Sequence, residues 1–292
     1  MDVAVRGLNA LLMVAMPLAL GVFLSRRLRL GWGLFAIGAT TFIASQIAHI
    51  PFNQFVLSPL MQRLGVASAK SGWPLLGIAV MLGLSAGIFE EGARFLVLRF
   101  WARQARSWKD GLMFGAGHGG AESIILGLLM ALTLTQMIAY RGADMSRFVP
   151  PAQVELATAQ VAAFWSAPWY AALLGALERA FAIICQLSLA ALVMQSFLRR
   201  RLIWLAAAIA WHTIIDMAAV IGVYSVGAYA TEAIVGLMAL VSLGIVLMLR
   251  PRSQETGNEP PPGEARPASP EVYPSGGPPA TPERVDDTRF SA

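Results

Sequence analysis

Residues 74–99 read PLLGIAVMLGLSAGIFEEGARFLVLR. A helix needs roughly 20 apolar residues to cross a bilayer, and this stretch supplies them with Glu90, Glu91 and Arg94 embedded in it. Six further apolar runs, at 7–25, 31–52, 111–139, 167–198, 202–223 and 228–249, have the same character. Together they predict an all-α fold, a polytopic transmembrane helix bundle of about seven spans. Composition agrees: 57% of the 292 residues are hydrophobic and 13% charged, where a soluble domain carries about 25% charged residues.

The net charge of +5 would suit a nucleic-acid binder, but the placement of the charges does not. Arg26, Arg27 and Arg29 follow the first span, and Arg99, Arg103, Arg106 and Lys109 the third. Arg199, Arg200 and Arg201 follow the fifth, and Arg250 and Arg252 the seventh, so twelve of 22 basic residues fall on one side. The positive-inside rule then predicts an outside N-terminus and a cytoplasmic C-terminus in the plasma (cytoplasmic) membrane. The lipid bilayer is the expected partner and nucleic acid is not. The first run has its basic residues after it rather than before, and reads as an uncleaved span. Cys185 is the single cysteine, so no intrachain disulfide forms. Residues 1–249 are expected to form the membrane domain. Residues 250–292, with ten of the 17 prolines, read as a disordered cytoplasmic tail. The outer loop 141–166 carries an amphipathic stretch that would suit a lid.

Ionisable residues within spans cost about 2.5–3.5 kcal/mol each at mid-membrane on insertion scales, so they require partners or water. Glu90 precedes Arg99 by nine residues and His118 follows Lys109 by nine, about 13 Å at 1.5 Å per residue. His212 follows Arg201 by eleven, about 16 Å. Three helices thus bring a carboxylate and two histidines to one level, nearer the cytoplasmic side. Glu90 and Arg94, His118 and Glu122, and His212 and Asp216 are each four apart, which puts each pair on one helix face. Gly115, Gly117, Gly119 and Gly120 around His118 either admit a neighbouring backbone or loosen the helix. Glu178 and Arg179 lie near the outer side, at about the depth of His49, and read as a structural cluster. Purely structural bridges remain an alternative for the other pairs, and no HExxH zinc-peptidase helix is present.

At EEGAR (90–94), GHGGAES (117–123) and HTIID (212–216) the chain resembles the YhfC family of intramembrane proteases. That family is similar to the CAAX prenyl endopeptidase and PrsW group of glutamic-type intramembrane endopeptidases. The resemblance covers roughly residues 30–225, including QIAHIPFNQF (46–55) and the Glu178–Arg179 pair. It implies hydrolysis of a peptide bond in a membrane protein or peptide substrate. Glu90 would be the general base on water, with His118 holding that water. Glu91 would pair with Arg94, and His212 with its partner would stabilise the oxyanion. Asparagine is usual in the CAAX endopeptidases where Asp216 stands, and an ionised aspartate cannot donate to an oxyanion. Asp216 would then orient His212 or bind a metal. The glutamate mechanism needs no cofactor; the metal alternative is a mixed zinc site of His118, His212, Glu122 and one of Glu90 or Asp216, with an open position. An ion-coupled transporter or a non-catalytic scaffold would use the same buried groups differently.

Overall fold

The computed structural model describes residues 2–251. The expected tail lies outside the described residues from position 252 onward. The helices are α1 (Asp2–Leu28), α2 (Gly33–Phe52), α3 (Ser58–Arg63), α4 (Gly72–Phe100), α5 (Trp108–Tyr140), α6 (Val154–Ser166), α7 (Leu174–Leu198), α8 (Ile203–Ser225) and α9 (Ala228–Met248). Among the described residues there is no strand, and seven helical stretches are long and apolar enough to span a membrane. The protein is a multi-pass membrane protein.

The second stretch runs further than the apolar run predicts. Pro51 cannot donate a backbone hydrogen bond, and residues 53–57 follow it as a turn of π-helix before α3 continues to Arg63. Loop 141–166 folds mainly into α6, which is tied to the ends of other helices. The Arg6 guanidinium stacks on Phe164 at 4.3 Å and donates to the Ala167 carbonyl, and Trp165 Nε1 donates to the Met137 carbonyl.

α5 packs against α1, α2 and α7; α4 packs against α8; α9 leans on α7 and α8. Two of these crossings are set by glycine. A Cβ at Gly117 would lie 1.9 Å from the Phe35 carbonyl oxygen, and one at Gly38 2.0 Å from that of Phe114. Of the glycines around His118, Gly117 serves the close approach of α2 and α5 while Gly115 and Gly119 face α7, and α5 stays helical throughout. Gly83 and Gly87 do the same for α4 on α8, against the carbonyls of Thr213 and Ile209. Toward the arginine-rich face the bundle is sealed by an apolar cluster that includes Leu98, Phe114, Val193, Met194 and Ala208. There Arg106 donates to the Leu98, Ala102 and Ala105 carbonyls, covering the C-terminal end of α4.

Candidate active site

The two neighbouring glutamates of α4 face different partners. Glu90 Oε1 accepts from Gln46 Nε2 of α2 at 3.0 Å, and Oε2 accepts from His118 Nε2 of α5 at 3.1 Å. Glu91 is fully buried; its Oε2 accepts from Arg94 Nη1 at 3.1 Å, and its Oε1 accepts from His212 Nδ1 of α8 at 2.7 Å. Because a carboxylate only accepts, these contacts place the proton on Nε2 of His118 and on Nδ1 of His212. Phe42 meets the His118 ring edge-on at 5.3 Å and holds its plane.

Arg94, also fully buried, sits 3.8 Å from Glu90 Oε2 and donates onward to Gln186 Oε1 of α7. Gln186 Nε2 donates to Glu122 Oε2 at 2.9 Å. Glu122 Oε1 accepts from Arg179 Nη1 at 2.6 Å, and Arg179 Nη2 reaches Glu178 at 2.6 Å. A polar chain drawn from five helices thus runs from the glutamate pair to a half-exposed carboxylate. Taking charges out of water costs several kcal/mol per ion unless each finds a partner, and nearly every charge here has one.

Most of the sequence-predicted residues therefore come together: Glu90 with His118, Glu91 with Arg94 and His212, and Asp216 Oδ2 3.7 Å from His212 Nε2. Two placements differ from expectation. Glu91, rather than Asp216, makes the short contact to His212. Glu178 and Arg179 are not a separate outer cluster, because Arg179 joins Glu122 and so belongs to the same chain. His49 makes its own contacts, at 3.0 Å to Ser85 and 2.9 Å to Asn53, one turn from Gln46.

Sequence reading missed the amides Gln46 and Gln186. A search for ionisable residues passes over amides. Helical spacing would have found them, since Gln186 lies two turns after Arg179 and Gln46 three residues before His49.

The zinc set does not assemble. Among the described residues no three His, Cys, Asp or Glu side chains converge as ligands. Glu122 gives both oxygens to Arg179 and Gln186, and the Arg94 guanidinium stands against the Glu90 oxygen that His118 faces. A divalent cation there would displace hydrogen bonds and confront a buried positive charge, so the residues as arranged do not fit one.

A cavity of about 160 Å³ adjoins Glu90, His212 and Asp216 and is lined along α7 by Glu178, Ala182 and Gln186. No residue of 141–166 lines it.

The sequence profile of the family described as YhfC intramembrane metalloprotease matches residues 12–239. Over 235 residues the chain is 31% identical to the uncharacterized membrane protein YhfC of Bacillus subtilis (strain 168), covering 78% of this chain and 88% of that protein. No solved structure matches.

Proposed function

The chain belongs to the YhfC intramembrane metalloprotease family, and from that premise we propose that it hydrolyses peptide bonds of membrane-embedded substrates with water activated by Glu90. The observation that carries this reading is the buried Glu90 held between His118 and Gln46 beside a polar cavity. A carboxylate fixed by two donors on two helices is oriented as a general base needs to be, before substrate arrives.

Glu90 takes a proton from water as the water oxygen bonds to the substrate carbonyl carbon. The carbonyl becomes an oxyanion. His212, kept in one orientation by Glu91, meets that charge with Nε2–H when doubly protonated. The carbon–nitrogen bond then breaks, and Glu90 returns its proton to the leaving amine. Arg94 balances the two glutamates throughout. Asp216 flanks His212 Nε2 on the cavity side and helps direct the ring. Water reaches Glu90 through the cavity, since the opposite end is closed by the apolar cluster. The N-terminus lies outside and the C-terminus in the cytoplasm, in keeping with the arginine distribution.

The family's description as metalloproteases favours a second reading, in which His118, His212, Glu122 and one of Glu90 or Asp216 would rearrange to hold zinc, which would supply Lewis-acid activation of the water. The donor arrangement around Glu90, Glu122 and Arg94 weighs against it. One experiment separates the two. New protein N-termini are compared in membranes carrying wild type or Glu90→Gln at equal abundance, with metal analysis of the purified chains. Cleavage is expected to fall about 10²–10⁴-fold, the usual worth of a general base, with no stoichiometric metal. One zinc per chain, lost in His212→Ala, overturns the glutamate mechanism. Termini unchanged in Glu90→Gln overturn the role given to Glu90.

A further inference from the structure

The arginine-rich face carries a recess that the proteolytic machinery does not use. It has a volume of about 620 Å³ and lies where α4 and α7 end and α8 begins, lined by Arg99, Arg106, Ser196, Phe197, Arg200 and Leu202 among others, including Arg201. Four arginines thus line one hollow, of which Arg106 is already held by the carbonyls at the end of α4. Among the described residues no carboxylate pairs with Arg99, Arg200 or Arg201 within 4.0 Å.

Two further observations mark the recess as built for a ligand. Ser196 is buried, at 6% exposure, and its Oγ has no hydrogen-bond partner although it lines the hollow. A helical serine hydroxyl can ordinarily turn back to the carbonyl one turn earlier; this one is left with a donor to spare. Arg200 adopts a φ of 53°, a conformation that costs a non-glycine residue energy. The tight α7–α8 turn that imposes it also puts Arg200 and Arg201 on the rim.

The surroundings identify the ligand class. The recess stands at the level of the lipid headgroups, by the placement of the helix ends. Exposed apolar side chains flank it, with Phe100 59%, Leu202 65% and Ile203 62% exposed. Arginine matches phosphate oxygens in its fork geometry, and basic hollows between membrane helices suit anionic headgroups. We propose that this recess binds the headgroup phosphate of an anionic glycerophospholipid. Arg99, Arg200 and Arg201 pair with the phosphate, Ser196 Oγ–H donates to it, and the acyl chains descend over Leu202 and Ile203.

The test uses the full chain, purified and delipidated in detergent, with retention of added lipid read by native mass spectrometry. Phosphatidylglycerol is expected to bind at least tenfold more tightly than phosphatidylcholine. Arg200→Gln with Arg201→Gln should abolish that preference, and Ser196→Ala, which leaves the turn untouched, should weaken it several-fold. Arg26→Gln with Arg27→Gln, on the same face but outside the recess, should leave it intact. Equal binding of the two lipids, or equal loss in the Arg26/Arg27 control, overturns the site in favour of general surface charge. Competition by inorganic phosphate at matched concentration assigns the recess to free phosphate and overturns the lipid.

Discussion

Glu90 offers one oxygen to an amide and the other to an imidazole, and the amide is the informative one. Gln46 touches neither of the predicted motif partners of Glu90, yet it fixes the second oxygen of the carboxylate. A hydrogen bond to a charged group contributes about 1.5–3 kcal/mol, so Gln46→Leu should lower kcat about tenfold or more while KM holds. Gln46→Asn, with a shorter reach, should recover only part of the loss. Equal kcat in Gln46→Leu would remove Gln46 from the positioning of Glu90. At this scale the sequence was readable where charge and spacing coincide: Glu90, Arg94, His118 and His212 were all placed by depth and period. The contact between Glu91 and His212, 121 positions apart, depends on how α4 meets α8, and no local spacing encodes it. The same holds for Glu122, which was paired with its neighbour four residues away but bonds across to α7 instead.

The helices themselves were readable because the membrane enforces one pattern: backbone groups must bond within the segment, and length follows from thickness. The predicted spans therefore fall within a few residues of the observed helices, apart from the second, which Pro51 and a π-helical turn carry on to Arg63, and the fifth, where a short 3₁₀ turn over Trp169–Leu173 precedes α7. What composition does not give is which faces meet. Here glycine position decides, and it makes a direct test. Gly117→Ala would drive a methyl into the Phe35 carbonyl at 1.9 Å, and the crossing must yield. Overpacking typically costs 1–3 kcal/mol, and this contact is with backbone, which relaxes least. The thermal midpoint in detergent should fall by several degrees. Gly77→Ala, with nothing within 4 Å of the added carbon, should hold or raise it, since alanine favours a helix by about 1 kcal/mol over glycine. A midpoint unchanged by Gly117→Ala would mean the α2–α5 crossing is looser than described.

Across the whole molecule the polar chain has a direction. Its side chains are fully buried at Arg94 and Glu91, 9% exposed at Arg179 and 45% exposed at Glu178, at the end of α7 opposite the arginine clusters. Glu90 lies nearer the arginine-rich end of α4, whereas the cavity beside it extends toward the other face. In a Cys185→Ala background, a membrane-impermeant thiol reagent should label Ala182→Cys and Arg200→Cys from opposite faces of oriented vesicles. Labelling of both from one face would refute this direction of access. The same chain of contacts also bears on how the protein is made. α4 carries two carboxylates and one arginine into the bilayer, and Glu91 with Arg94 can pair at once because both lie on that helix. Gln186 and His212 emerge from the ribosome only 92 and 121 residues later than their partners. At 5–20 residues per second that is a wait on the order of ten seconds. Through it, the cross-helix partners already made for α4 are Gln46 and then His118, both on Glu90, so a nascent chain stalled before α7 leaves Arg94 and Glu91 without theirs, membrane charge for quality control to find.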